Sequence, residues 1–93
     1  MHAPGRNYKS NEVEELSDAI HDNFRKNLKF VMKQKDMSQT ELAKMIHIHR
    51  VTLNRILNGK VAPSLAIAVV LSIAVEEPLS RLCGYEETER KFY

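Results

Sequence analysis

The stretch SQTELAKMIHIHRVTLNRILNGK, residues 38–60, decides the fold of this chain. Ser38, followed three residues later by Glu41, is a capping box, in which the two side chains satisfy free backbone N–H groups at the start of a helix. The apolar residues behind it recur at helical spacing, stop, and start again. Gly59 supplies the left-handed residue that ends a helix. The stretch predicts two short helices, the second over residues 50–58, joined by a turn of about three to four residues.

The sequence before this stretch carries one long apolar stripe. Asn11 and Glu14 form another possible capping box at its start. The stripe repeats every three or four residues at Val13, Leu16, Ile20, Phe24, Leu28 and Val31. Its periodicity fits one helix over residues 12–35 and equally two helices with a break. Asp22 and Asn23, both good capping residues, favour the break.

The sequence after the stretch predicts two more helices. Pro63 and Ser64 open an apolar helix that runs to about residue 75, and Pro78 opens a short last helix that Gly84 ends. The apolar run is too short to cross a membrane, which takes about 20 residues.

Together these patterns predict one all-α domain. We expect a compact five-helix bundle over residues 24–84 and an additional N-terminal helical segment over residues 12–23. A flexible arm over residues 1–11 and a flexible charged tail over residues 85–93 would flank them. Few Gly and Pro residues, three of each, leave little room for a strand-and-turn architecture.

The charge is unevenly distributed along the chain. Residues 1–23 hold two bases and five acids, residues 24–60 hold nine bases and two acids, and residues 61–93 hold three bases and five acids. A basic middle between acidic ends is a localised positive surface, and such a surface attracts polyanions. Nucleic acid is therefore the first candidate partner.

The chain offers little for cofactor or metal chemistry. Its single cysteine, Cys83, has no second cysteine to pair with in the chain, and we expect it to lie in or near the core. His47 and His49 lack a third ligand for a metal. We expect no metal, no cofactor and no membrane contact.

No apolar segment of a secretory signal follows the basic N-terminus. We expect a cytoplasmic protein, at the nucleoid of a bacterial or phage-infected cell.

From residue 24 to residue 84 the sequence resembles the Cro/lambda-repressor-like family of bacterial and phage DNA-binding domains. The resemblance is carried by the segments 38–43, 52–56, 58–60 and 63–65, which occur in order and in register. It implies a helix-turn-helix, a pair of helices of which the second enters the major groove of DNA.

Two departures from the family pattern concern the geometry. His47 stands in the turn where the family usually has Gly, and His49 stands where it often has a Ser or Thr cap. A non-glycine residue in the left-handed region costs on the order of 1 kcal/mol, which the turn can tolerate.

A third departure concerns the core. Met32 and Leu57 replace an Arg–Glu ion pair of many family members, so an apolar contact takes the place of a charged one.

The resemblance and the helical spacing together point to the residues that would contact DNA. Within the helix predicted over residues 50–58, the side chains that face away from the apolar ones are the base-reading candidates, Arg50, Val51, Asn54 and Arg55. Arginine can bind guanine and asparagine can bind adenine through two hydrogen bonds, and valine can pack on a thymine methyl group. The candidates for phosphate contacts are Gln39, His49, Thr52, Asn58 and Lys60.

The helix after Pro63 is apolar where the family is usually polar. We number this predicted helix, from Ser64 to about residue 75, as α4, and its apolar side, the α4 face, consists of Ala66, Ile67, Val70 and Ile73. An apolar face on a helix has to be covered, here by the N-terminal segment of the same chain or by another chain. The α4 face is therefore a candidate surface for self-association or for a protein partner.

These observations predict a sequence-specific regulator of transcription that binds double-stranded DNA. We expect a repressor that binds a near-palindromic operator as a homodimer. The alternative is an antitoxin or phage-type modulator that masks a partner protein, with DNA binding secondary or autoregulatory. A masking role gives no reason for Arg50 and Arg55 to project beside a cluster of lysines. We expect no enzyme, because the chain has no catalytic constellation that we recognise.

Overall fold

The computed structural model describes residues 7–84, and within them the regular structure is five helices and no strand. The helices are α1 (Ser10–Gln34), α2 (Gln39–Met45), α3 (Arg50–Leu57), α4 (Leu65–Ala74) and α5 (Leu79–Cys83). The predicted all-α class and helix-turn-helix bundle are confirmed. The tail predicted over residues 85–93 and the first six residues of the predicted N-terminal arm lie outside the described range.

The first helix, α1, is continuous over 25 residues, so the break favoured at Asp22 and Asn23 is wrong. Its start also differs from the expectation at Asn11. The helix begins after Lys9, whose backbone N–H donates to the Glu12 carboxylate at 3.2 Å. The predicted additional segment over residues 12–23 is thus part of α1, and the boundary of a domain at residue 24 stays a prediction.

The polar residues in the middle of α1 form hydrogen bonds with the end of another helix, α5. The side-chain amide of Asn23 donates to the carbonyl oxygen of Cys83 at 3.1 Å. One turn further on, the amide of Asn27 donates to the carbonyl oxygens of Leu82 at 2.8 Å and Arg81 at 3.3 Å. The last carbonyl groups of a helix have no partner within it. Two asparagines of α1 therefore cap the C-terminus of α5 instead of interrupting α1.

The helices α1 to α4 all end in the same way. The residue after each C-cap has a positive φ: Asp36 (53°), His47 (57°), Gly59 (73°) and Glu76 (58°). At the end of α2, for example, the N–H of Ile48 donates to the carbonyl oxygen of Ala43 at 3.1 Å, and that of His47 donates to Lys44 at 3.3 Å. This pair of bonds is the Schellman motif. It confirms the left-handed turn expected at His47.

The core is formed by side chains from all five helices. The buried apolar side chains are Phe24, Leu28, Val31, Met32, Leu42, Ala43, Leu53, Ile56, Leu57, Ala68, Leu71, Val75 and Leu82. Met32 and Leu57 are both among them, as expected for the apolar replacement of an ion pair. Cys83 is half-buried against this core, and its burial raises the pKa of the thiol.

The α4 face is largely uncovered. Ile73 is 69% exposed and Val70 39% exposed, Ala66 is exposed as well, and Ile67 packs partly against the core. Because α1 does not bend, its N-terminal segment does not cover this face within the chain. The sequence left two alternatives for covering the α4 face, the N-terminal segment of the same chain or another chain. The structure therefore does not show the first.

No helix within residues 7–84 has the length and apolar content that crossing a membrane requires.

Candidate nucleic-acid interface

The start of α2 is held by the capping box that the sequence predicts. The hydroxyl of Ser38 accepts a hydrogen bond from the N–H of Glu41 at 3.1 Å, and the Glu41 carboxylate accepts one from the N–H of Ser38 at 3.4 Å. The buried side chains of α2, Leu42 and Ala43, pack in the core that also takes those of α3. The small Ala43 lets the two helices approach closely. Local capping and shared burial thus fix α3 relative to α2.

The eight residues of α3 divide cleanly between a buried and an exposed side. Leu53, Ile56 and Leu57 are buried. Thr52 is exposed at the edge of α3, and the exposed side chains opposite the buried ones are Arg50, Val51, Asn54, Arg55 and, at the C-cap, Asn58. At about 100° per residue, these five span an arc of about 140° around the helix axis. The four base-reading candidates therefore lie together on one exposed surface, which we call the α3 face.

The two arginines of the α3 face are not used to stabilise the fold. Within the described residues, neither Arg50 nor Arg55 has a carboxylate within salt-bridge distance or a side-chain hydrogen bond. The other two arginines of residues 7–84 do: Arg25 pairs with Asp22 at 2.7 Å and Arg81 pairs with Glu77 at 3.2 Å. Both guanidinium groups of the α3 face are thus available to an external acceptor.

Val51 adds an apolar element to the same surface. Its side chain is 63% exposed at the second position of α3, although valine favours burial. In a helix that inserts its N-terminal end into a groove, this position can meet a thymine methyl group.

A chain of side-chain amides joins the two helices across this surface. The amide of Asn58 donates to the side-chain oxygen of Asn54 at 3.0 Å, and the amide of Asn54 donates to the side-chain oxygen of Gln39 at 3.1 Å. Each amide keeps a second N–H and a second lone pair for an outside partner. The chain fixes the orientation of two phosphate-contact candidates and one base-reading candidate relative to each other. The sequence does not predict this chain of hydrogen bonds, because a contact between positions 15 residues apart leaves no periodic pattern in it.

The remaining phosphate-contact candidates surround the α3 face. His49 precedes α3 as its N-cap, and its side chain makes no capping hydrogen bond. It is exposed, as are Thr52 and Lys60. The first backbone N–H groups of α3 also lack partners within the helix and can donate to a phosphate. The roles of these residues stay predictions.

A second missed feature lies beside Lys60. The guanidinium group of Arg25 rests against Gly59 so closely that a Cβ atom there would clash with it. The positive φ of Gly59 independently favours glycine. Gly59 therefore ends α3 and at the same time leaves room for a side chain of α1.

Within residues 7–84, no group of three or more His, Cys, Asp or Glu side chains is arranged as a metal site.

Comparison with protein families agrees with this geometry. A family model described as helix-turn-helix matches residues 28–82, which is more than half of the chain. The match contains α2, the turn and α3, and also α4. Neither the curated proteins nor the solved structures contain a match to the chain.

Proposed function

Because the chain belongs to the Cro/lambda-repressor-like family of helix-turn-helix proteins, which are DNA-binding regulators and not an enzyme family, we propose that it is a repressor. It binds a near-palindromic operator as a homodimer and inserts α3 into the major groove. Repression requires only that the protein occupy the operator and exclude other proteins from it.

The observation that carries this proposal is the set of exposed side chains on the α3 face. Two guanidinium groups that have no partner among residues 7–84 lie on either side of an exposed valine on a short helix. Arg50 and Arg55 are suited to guanine, Val51 to a thymine methyl group, and Asn54 to adenine through its free N–H and lone pair. The amide chain supports the view that Gln39 and Asn58 hold the phosphate backbone while the α3 face reads bases.

The geometry of DNA supports the proposed dimer. One short recognition helix reads few base pairs, and two such helices about 34 Å apart reach half-sites one helical turn apart. Such an arrangement predicts an operator with a two-fold axis. Selection of bound sequences from a random pool of double-stranded DNA would give the operator and show whether it has this symmetry.

Substitutions in the α3 face test whether it reads bases. We expect Arg50→Ala or Arg55→Ala to weaken binding to the selected operator by about 5- to 150-fold, the equivalent of about 1 to 3 kcal/mol per bidentate contact. Binding to unrelated DNA should weaken much less, since it loses one charge and no base contact. Fluorescence anisotropy with both DNAs measures the difference.

Arg81→Ala is the matched control for this experiment. It removes an exposed arginine on α5 that is paired with Glu77, and it should leave both affinities unchanged. Equal losses on operator and unrelated DNA for Arg50→Ala and Arg55→Ala would contradict base reading by α3.

A second candidate function is a modulator that masks another protein, and the uncovered α4 face favours it. In that case Ile73→Glu would abolish binding of the partner, while Arg50→Ala would leave it intact. Purification of the tagged protein from its own host, with both variants in parallel, distinguishes the two functions.

A further inference from the structure

Two apolar stripes in the described part of the chain are exposed or only partly buried. One is on the first half of α1 and consists of Val13, Leu16 and Ile20; we call it the N-terminal stripe. The other is the exposed part of the α4 face. Val13 is 52% exposed, and the half-buried apolar side chains that pack against the core within residues 7–84 do not include Leu16 or Ile20. Neither stripe therefore belongs to the core.

The two stripes cannot meet within one chain. The first buried residue of α1 is Phe24, and from there on α1 packs against α5 and α3. The 14 residues before it, 10–23, continue the same helix without a break for about 21 Å. For the N-terminal stripe to reach α4 of its own chain, α1 would have to break at the asparagines that cap α5. The α4 face that it can reach belongs to another molecule.

The spacing of the two stripes matches in one orientation. Along α1 the stripe steps by three and then four residues, from Val13 to Leu16 to Ile20. Read backwards along α4, three of its exposed residues step in the same way, from Ile73 to Val70 to Ala66, and the exposed Val69 and Leu65 lie beside them. Two helices packed antiparallel therefore place Leu16 opposite Val70. They also place Ile20 opposite the small Ala66, which allows close approach.

Charge favours this pairing over a contact between two N-terminal stripes. Residues 10–22 contain five acidic residues and no Lys or Arg, so two of these segments side by side would repel each other. The helix α4, in contrast, has no charged residue from Leu65 to Ala74. An acidic helix with an apolar stripe thus has a neutral apolar partner available in a second copy of the chain.

We infer that the N-terminal stripe of one copy packs antiparallel on the α4 face of a second copy, and that a two-fold axis repeats the contact to close a dimer. The inference rests on the proposed function, because it names the surface that forms the proposed dimer. It also explains the continuous α1, since the extended helix is what carries the stripe from one molecule to the next. The dimer covers both stripes of each chain.

Disulfide trapping tests the inference. In a Cys83→Ser background, Leu16→Cys is introduced into one chain and Val70→Cys into another. The two proteins are oxidised separately and then as an equal mixture. We expect a covalent dimer from the mixture and little from either protein alone. Glu14→Cys, on the polar side of α1, replaces Leu16→Cys as the matched control and should not cross-link to Val70→Cys.

The other outcomes overturn the inference. A covalent dimer from Val70→Cys alone would mean that two α4 faces meet, and one from Leu16→Cys alone would mean that two N-terminal stripes meet. A disulfide within a monomer that carries both cysteines would mean that α1 folds back. A mixture that does not cross-link, although the unsubstituted protein is a dimer in solution, would mean that the dimer uses a different surface.

Sedimentation equilibrium provides an independent measurement. Ile20→Glu and Ile73→Glu, on the two sides of the contact, should each weaken the dimer on the order of 10-fold or more, because each places a charge in an apolar contact. Glu14→Gln should leave it unchanged. Helicity measured by circular dichroism verifies that the variants remain folded.

Failure of this inference and failure of the proposed function give different results. If the unsubstituted protein is a dimer that selects a two-fold operator but cross-links elsewhere, the inference fails and the function stands. If the protein remains a monomer and selects a single half-site, the dimeric operator complex fails, and with it the inference.

Discussion

At the scale of single residues, three helix ends in this protein use a residue that is poorly suited to its backbone conformation. Asp36, His47 and Glu76 have positive φ values, where glycine is favoured because it lacks a Cβ atom. The hydrogen bonds of the Schellman motif and the burial of the flanking helices hold them there. Each of these positions therefore contains local strain that a substitution can relieve.

The substitution His47→Gly should stabilise the protein by about 0.5 to 1 kcal/mol. The left-handed conformation costs glycine no steric energy, so the substitution relieves the strain at position 47. Glycine loses more backbone entropy on folding than histidine does, but this loss is smaller than the strain that is relieved. Urea unfolding followed by circular dichroism measures the change.

Lys44→Gly, at an exposed position in the last turn of α2, is the matched control for this prediction. It should destabilise the protein by about 1 kcal/mol, because glycine is unfavourable inside a helix. If His47→Gly were also destabilising, the imidazole would have to make a contact that outweighs the strain.

At the scale of helices, the end of α5 depends on α1. With five residues, α5 is too short to be stable alone, and the amides of Asn23 and Asn27 satisfy its last carbonyl groups. The side chain of Asn23 also lies against Gly84, where a Cβ atom would be too close. The two asparagines thus join the two ends of the domain.

Asn27→Asp should destabilise the protein by about 1 to 3 kcal/mol, because a carboxylate cannot donate to the carbonyl oxygens of Leu82 and Arg81 and is repelled by them. The loss should shrink on acidification, when the carboxylate takes up a proton and can donate again. Thermal unfolding at neutral and acidic pH measures both effects.

Asn11→Asp is the control on the same helix. It makes the same chemical change in the first turn of α1, where a negative charge is neutral or slightly favourable. A small effect of Asn27→Asp, similar to that of Asn11→Asp, would show that the hydrogen bonds to α5 contribute little.

At the scale of the whole molecule, the positive charge lies in the part of the chain that forms the proposed DNA surface. The nine bases of residues 24–60 include Arg50, Arg55 and Lys60, all exposed. The acidic residues are concentrated in the first half of α1 and towards the C-terminus. This separation orients the molecule towards a polyanion.

The affinity for DNA should therefore fall steeply with salt. Each phosphate that the protein neutralises contributes about −0.9 to the slope of the logarithm of affinity against the logarithm of salt concentration. Lys60→Ala should make the slope shallower by about 1 and weaken binding to all DNA sequences alike. Lys9→Ala, outside the basic part of the chain, should leave the slope unchanged. A slope near zero for the unsubstituted protein would contradict binding through phosphates.

The sequence by itself determined helices α2 to α5 and the side of α3 that is exposed. The capping box at Ser38, the glycines at positions 59 and 84, and the apolar spacing in α3 are local signals, and the structure follows each of them. The exposure of Arg50, Val51, Asn54 and Arg55 follows from the burial of Leu53, Ile56 and Leu57. Their contact with bases stays a prediction, because no helix period says what lies outside the molecule.

Tertiary structure alone decided how the polar residues are used. Asn23 looks like a helix breaker in the sequence, yet α1 continues through it, because its amide is needed at the end of α5. Asn54 looks like a free side chain, yet it bonds to Gln39 across the turn. The same continuity of α1 leaves both apolar stripes exposed or only partly buried. A polar side chain bonds to whatever the fold brings near it, and that neighbour can lie 60 residues away in the chain.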